Sequence, residues 1–319
     1  MMSSKQDKLD HLDSRSHELF SQYRIVAGKL KKRFMKKPNV REASDDYGKL
    51  ANALKNEENP QYAALCFSAM AKCDQILGDV SGEGEAWANA GRQFLIAEDI
   101  LFTGGYPSYG DSLDAGVQCF LLAIEAHYKQ GNEVMAAMFC LEIAHRLKHF
   151  KKFHEALTFL NRAADLQNNK PECQLQTMEE IALCKIRLRE YDSALSIISK
   201  ITSETKGKEG PYAVLRQRCE VCQLLLLLIL QIPRNHLKAE HSQVLSKFSK
   251  DVLDTSVVGP GMHGELYVLL QSLLIAVEDK CYKEIEDIQP IMWRYLTSIQ
   301  QHLYSLLMEA HNPHRQSIL

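Results

Sequence analysis

The chain has 319 residues, a formal net charge of −2 and 45% apolar residues, so it is long enough to bury a sizeable core. This near-neutral balance argues against a protein whose overall field attracts nucleic acid or a strongly acidic substrate. Nine cysteines, mostly within helical patterns, favour free thiols in a reducing compartment. The N-terminus shows no apolar signal segment, and the longest apolar run, 224–230, is too short for a membrane span. A cytosolic protein is therefore expected.

The first predicted helix carries a concentrated positive charge. Val26, Leu30 and Phe34 form an apolar stripe that predicts a helix over 18–35. Its other faces carry six cations, which are candidate partner-binding residues: Lys29, Lys31, Lys32, Arg33, Lys36 and Lys37. Three interpretations remain open, namely a solvated helix face, a patch for an acidic groove of a protein, and a contact with anionic lipid or nucleic acid.

Helical patterns continue to the C-terminus, and no strand-like alternation of useful length interrupts them. Ser44 and the two aspartates after it are expected to cap the second helix, which ends near Asn56. Pro60 opens the third, and Pro290 is expected to start a new helical segment. The later helices are expected near 62–77, 83–102, 112–129, 133–201 (two hairpins), 212–232, 236–253, 265–277 and 280–310.

Two adjacent helical hairpins repeat in the same register. The matched positions, each 38 residues apart, are Ala144 with Ala182, Phe153 with Tyr191, and Ala156 with Ala194. Ala51 and Ala63 show the same twelve-residue interval upstream, with Pro60 in place of the aromatic residue. Small residues at this spacing allow paired helices to approach closely. The predicted fold class is all-α, a tetratricopeptide-like helical repeat solenoid.

The last third of the chain combines a very apolar helix with an acidic stretch. Seven consecutive aliphatic residues within 212–232 require burial on most sides of that helix. The acidic residues are further candidates for partner binding, although a solvated face is the alternative: Glu278, Asp279, Glu284, Glu286 and Asp287. The expected organisation is a basic N-terminal helix (1–44), helical hairpins (45–205) and C-terminal helices that continue the solenoid (206–319).

Neither a metal site nor a catalytic site is predicted. Cys219, Cys222, His236 and His241 match a zinc-ligand spacing, but both cysteines fall in one apolar helix, which favours buried thiols. The pair at positions 145 and 149 lacks the glutamate that a metalloprotease motif places between its histidines. No phosphate-binding loop and no nucleophile motif occurs. A non-enzymatic protein without a cofactor is expected.

Three stretches make the chain similar to a known family: residues 22–40, residues 218–231 with Glu240, His241, Lys247 and Phe248, and residues 269–273. They resemble the huntingtin-associated proteins encoded within an intron of the coagulation factor VIII gene, and the chain is identified as a non-mammalian member. The resemblance implies a tetratricopeptide-like protein held between the HEAT-repeat lobes of huntingtin. It also implies a role in recruiting huntingtin to early endosomes, and in vesicle motility, through an endosomal small GTPase. Mammalian members carry a long Pro-rich insertion where this chain has only the loop 202–211.

The expected function is a scaffold that binds and stabilises huntingtin in an obligate one-to-one complex, with endosome recruitment secondary. Opposite charge at the two ends of the chain suits docking into one large partner of mixed charge. An obligate partner would leave the isolated chain poorly soluble. A generic tetratricopeptide adaptor that binds peptide segments is the alternative. The expected location is cytoplasmic with early-endosome association, with the nucleus as a further alternative. Neither nucleic-acid binding nor a transmembrane segment is expected.

Overall fold

The computed structural model describes residues 21–31, 38–249 and 264–312, and the chain divides into two compact units, Met1–Lys152 and Phe153–Leu319. All regular structure in these described ranges is helical, and no β-strand occurs there. Successive helices within each unit pack against their neighbours as hairpins. The predicted all-α, helical-repeat fold class is confirmed.

The first unit contains six helices within its described residues. They are α1 (21–29), α2 (Val40–Asn56), α3 (Pro60–Leu77), α4 (Val80–Thr103), α5 (Asp111–Lys129) and α6 (Glu133–His149). Helices α4 and α5 approach closely where Gly91 faces Gly116, because a Cβ on either residue would lie within 3.3 Å of the other's carbonyl oxygen. Helix packing at this distance requires glycine on both sides.

The second unit contains eight α-helices in its described part. They are α7 (Phe153–Leu166), α8 (Pro171–Arg187), α9 (Tyr191–Glu204), α10 (Pro211–Leu230), α11 (Ala239–Ser249), α12 (Gly264–Glu278), α13 (Tyr282–Met292) and α14 (Ser298–His311). Short 3-10 turns cover Arg234–His236 and Trp293–Tyr295. Helix α10 packs against α8, α9, α11 and α14, and its residues Leu224, Leu225 and Leu226 are fully buried. The predicted burial of this helix is confirmed.

The small residues of the predicted repeat are fully buried. None of the six alanines has any solvent-exposed surface: Ala51, Ala63, Ala144, Ala156, Ala182 and Ala194. Leu160 and Ile198, which follow at the same spacing in the two adjacent repeats, are each 1% exposed. A larger side chain at these positions would push neighbouring helices apart. The twelve-residue interval between the alanines is therefore explained by helix packing.

The structure corrects two expectations in the first unit. Helix α2 begins at Val40, not at Ser44, because Asn39 caps it by accepting a hydrogen bond from the Glu42 N–H at 3.3 Å. Ser44 lies inside the helix, is buried, and donates to Asp74 Oδ1 at 2.5 Å. The helix expected over 18–35 ends at residue 29, since Leu30 and Lys31 donate to carbonyls three residues back. Residues 18–20 and 32–35 of that prediction lie outside the described residues.

Two more corrections concern the second unit. Pro290 does not start a new helical segment, because it lies in the last turn of α13. The break comes at Trp293–Tyr295, and Thr297 then caps α14 in a reciprocal capping box with Gln300. The helix expected over 236–253 begins later, at Ala239, and positions 250–253 lie outside the described residues.

Candidate functional site

The basic N-terminal segment is anchored to the first unit by its apolar side and by one of its cations. The Tyr23 ring packs against the Tyr47 ring in a tilted arrangement with centroids 5.3 Å apart, and Val26 is buried. Lys29 Nζ lies 2.5 Å from Glu42 Oε1 and 2.5 Å from Asp46 Oδ2, both on α2. Its hydrogen bonds to Asp46 and then to Glu42 raise the pKa of Lys29, and the bond from Lys29 lowers the pKa of Asp46. Lys29 therefore positions α1 on α2.

Among the other predicted cations of this segment, the structure describes only Lys31. Lys31 is exposed, with its side chain in solvent. Four of the predicted partner-binding residues lie outside the described residues: Lys32, Arg33, Lys36 and Lys37. Of the two predicted partner-binding residues that the structure describes here, Lys29 and Lys31, only Lys29 is paired with carboxylates of α2, so Lys31 is the stronger candidate for a contact with a partner.

The five predicted acidic residues all lie at the surface, around the turn between α12 and α13: Glu278, Asp279, Glu284, Glu286 and Asp287. Ile285 is fully buried between Glu284 and Glu286 and anchors α13 in the core of the second unit. Glu284 and Asp287 are three residues apart and so lie on one face of the helix. Exposed Lys280 and Lys283 share the stretch and reduce its negative charge without cancelling it.

Exposed aromatic residues at the end of α4 and in the loop that follows it form a second kind of candidate contact surface. Residues 104–110 are here called the tyrosine loop. Tyr109 is 99% exposed and Tyr106 is 65% exposed. Phe102 is 43% exposed and makes edge contacts with the rings of His149 and Phe150. The glycines and tyrosines of this loop are visible in the sequence, but there they indicate only an interruption of the repeat. Exposed tyrosine on a short loop is typical of protein recognition surfaces.

Two bidentate ion pairs join helices that are second neighbours in the chain. Arg92 of α4 donates to both carboxylate oxygens of Glu142 on α6, at 2.7 and 2.8 Å. Arg218 of α10 does the same to Glu179 of α8, at 2.9 and 2.6 Å. Both helices of the first pair belong to the first unit, and both helices of the second pair belong to the second unit. Fork-shaped pairs of this kind fix orientation as well as adding stability, so the surface around each has a defined geometry.

The residues with metal-ligand spacing do not come together as a ligand set. Cys219 and Cys222 are buried in α10, and burial raises the pKa of both thiols, that of Cys222 to about 12. His241 instead lies 3.1 Å from the hydroxyl of Ser199. In the described ranges, no group of three or more histidine, cysteine or acidic side chains is placed to hold a metal ion. Of the histidine pair at positions 145 and 149, His149 lies 2.6 Å from Asp99 and so contacts a carboxylate instead of a metal ligand set.

The same part of the chain offers neither a membrane span nor a complete nucleophilic triad. Among residues 21–31, 38–249 and 264–312, no helix is both long enough and apolar enough to cross a membrane. Ser199 and His241 are a hydroxyl next to an imidazole, but no carboxylate of the described chain is hydrogen-bonded to His241. A nucleophile and a base without a group that orients the base lack one of the three roles of a catalytic triad.

Comparison with known proteins gives two results. The family model of the soluble NSF attachment protein, SNAP, matches residues 27–209, more than half of the chain. The 40-kDa huntingtin-associated proteins of rat and mouse are each 31% identical over 367 aligned residues, which cover 96% of this chain and 96% of each relative. This aligned length exceeds the 319 residues of the chain, so both relatives contain residues that have no counterpart here.

Proposed function

This chain belongs to the family of the 40-kDa huntingtin-associated protein, with a SNAP-family domain, and we propose that it binds and stabilises huntingtin. It is a helical adaptor by its family and its fold. The observation that carries the proposal is the similarity over nearly the full length of both relatives, whose name records an association with huntingtin. The alignment extends over 96% of each chain, so the similarity is not confined to one repeat or one helical hairpin.

The surfaces of the two units support a protein partner. The tyrosine loop offers aromatic side chains that are largely exposed, and the second unit exposes about half of the side-chain surface of Val268, Ile275 and Ile291. Exposed apolar side chains next to polar ones are the usual anatomy of a binding surface. We propose that these residues supply affinity and that the acidic residues 278–287 and Lys31 orient the chain on a partner of mixed charge. The complex is proposed to be one-to-one and obligate.

The direct test is purification of the tagged chain with huntingtin of the same organism, at physiological salt, followed by size-exclusion chromatography. We expect both proteins in one peak at equal stoichiometry, and a less soluble chain when huntingtin is omitted. A stable monomer that melts cooperatively and ignores huntingtin would contradict the proposal. If short peptide segments of another protein were recovered instead, the generic tetratricopeptide adaptor would replace it.

Charge reversal tests the role assigned to the acidic stretch. The double variant Glu284→Lys/Asp287→Lys should slow association with huntingtin severalfold, with a smaller effect at high salt, because exposed charges act mainly on the association rate. The matched control is Asp165→Lys/Glu209→Lys, which changes the net charge equally at exposed positions elsewhere in the same unit. Equal slowing by both variants would assign the effect to net charge alone.

We propose a cytoplasmic location and a secondary role in bringing huntingtin to early endosomes through an endosomal small GTPase. The support is the family resemblance, and the proposed role makes no use of the Pro-rich segment of mammalian members, because this chain has only the short loop 205–210 in its place. The test is binding of the purified complex to early-endosomal GTPases loaded with GTP or GDP. Binding that requires the GTP form supports this role, and its absence for both forms contradicts it without affecting the huntingtin proposal.

A further inference from the structure

A cavity of about 460 Å³ lies wholly within the second unit, among α9, α10 and α11. Its volume is in the range of small-molecule sites. Most of its lining residues are of polar types, and hydroxyl, amide and charged groups come from all three helices. The adaptor function proposed above makes no use of this cavity.

The innermost polar groups of the cavity form a connected hydrogen-bond network. Gln223, which is 1% exposed, donates from Nε2 to Ser199 Oγ at 3.0 Å. Ser199 Oγ in turn lies 3.1 Å from His241 Nε2. Burial lowers the pKa of His241 and so favours its neutral form. Because each group is held by another, the polar interior of the cavity is fixed before any ligand arrives.

One end of the cavity carries two cations. Arg216 Nη1 donates to the carbonyl oxygens of Thr205 and Lys208, at 2.6 and 3.0 Å, just beyond the end of α9. These bonds fix the guanidinium while leaving its other N–H donors without a partner among the described residues. Lys206 is exposed, lines the same end, and has no carboxylate at ion-pair distance within the described chain.

The two acidic residues of the lining do not cancel this positive end. Glu220 is already paired with Lys247, whose Nζ lies 2.8 Å from its carboxylate. Glu240 lies in the first turn of α11, next to His241, whose ring contacts Ser199 and not the segment that holds Arg216. Gln223 and Arg216 are two helical turns apart on α10, about 10 Å along the axis. The net charge at the Arg216 end is therefore positive.

We propose that this cavity is a binding site for a small polar ligand that carries a carboxylate or phosphate group. The oxyanion lies against Arg216 and Lys206, since a fixed guanidinium is the side chain best suited to a planar or tetrahedral oxyanion. The rest of the ligand extends toward Gln223 and hydrogen-bonds to hydroxyl and amide groups of the lining. This site is independent of the binding of huntingtin.

The test is calorimetric titration of the full chain, alone or in the complex in which it is purified, with inorganic phosphate and with citrate at constant ionic strength. Saturable binding of either anion is expected, and the anion that binds identifies phosphate or carboxylate chemistry. Arg216→Gln should abolish the binding, whereas Arg162→Gln, on α7 and outside the lining, should leave it unchanged. No saturable binding of either anion up to tens of millimolar would overturn the proposal.

A second pair of variants keeps the test decisive if Arg216→Gln disturbs the segment after α9. Gln243 is exposed in the lining, so Gln243→Glu and Gln243→Lys change its charge in opposite directions without removing the bonds of Arg216. A unit charge roughly 6 Å from the anion in a water-like dielectric changes affinity about threefold. We expect weaker binding with glutamate and tighter binding with lysine. Equal affinity of the two variants would place the anion outside the cavity.

Discussion

Replacing Gly91 by alanine tests the close approach of α4 and α5. A Cβ at this position would lie 2.7 Å from Cδ2 of Phe120 and 3.1 Å from the carbonyl oxygen of Gly116. The Phe120 ring is fully buried, so any movement of it must displace other core residues, and the carbonyl belongs to the backbone of α5. The methyl group can therefore be accommodated only if the two helices separate.

Two opposing effects set the size of the change at Gly91. Alanine favours a helix over glycine by about 1 kcal/mol. Adding a methyl group to a densely packed core costs about 1–3 kcal/mol, and the short contact to Phe120 puts this site at about 3 kcal/mol. The expected net loss is about 2 kcal/mol. In a domain of this size, that loss lowers the Tm by about 4–8 °C.

Thermal unfolding followed by circular dichroism measures this shift, and Gly28→Ala is the matched control. Gly28 lies in α1, and no atom lies within 4 Å of the place that an added methyl group would take, so the same substitution there gains helix propensity without a clash. Its Tm should be equal to or above that of the original chain. A Gly91→Ala variant with a Tm at or above that of the original chain would refute the packing argument.

Three further predictions follow from buried groups. Burial lowers the pKa of His127 from its ordinary value of 6.5, so the folded state binds fewer protons than the unfolded state and stability falls as the pH drops below that value. Urea titration of His127→Phe should therefore show a flatter dependence of the unfolding free energy on pH between about 7 and about 5. Arg218→Met removes both hydrogen bonds of the Glu179 carboxylate, whose side chain is 14% exposed, and should lower the free energy of unfolding by about 1–2 kcal/mol in the same assay. Adding Glu179→Leu should recover part of that loss. A thiol reagent should modify exposed Cys173 in the native chain but modify buried Cys219 only after unfolding, as detected by peptide mass spectrometry.

The repeat could be predicted because it is a local pattern. Ala144, Ala156, Ala182 and Ala194 are fully buried as their spacing predicts, and the interval from Ala51 marks a further site of the same kind. Each of these positions is determined by the helical period and by the size of the side chain, both of which can be read along the chain. The same holds for α10, whose consecutive leucines leave no face for solvent.

Long-range pairing explains what could not be predicted. Lys29 looks like a solvated cation in the sequence, but its partners Glu42 and Asp46 lie 13 and 17 residues away on another helix. Ser44 has the composition of a helix cap, but its hydroxyl bonds to Asp74, 30 residues away, while Asn39 caps the helix. A short-range pattern contains no information about either choice, because each depends on which helices become neighbours.

The candidate contact residues are of two kinds, and they make different contributions to a complex. Exposed acids such as Glu284 and Asp287 stay partly hydrated at an interface, so they steer association more than they add affinity. Exposed apolar side chains such as Tyr109 and Ile275 lose that exposure only when a partner covers them, and their burial slows dissociation. The charged residues are conspicuous in the sequence, whereas these apolar residues become visible only after the fold shows which hydrophobic side chains the core leaves uncovered. The surface that holds a partner is thus harder to predict from sequence than the surface that attracts it.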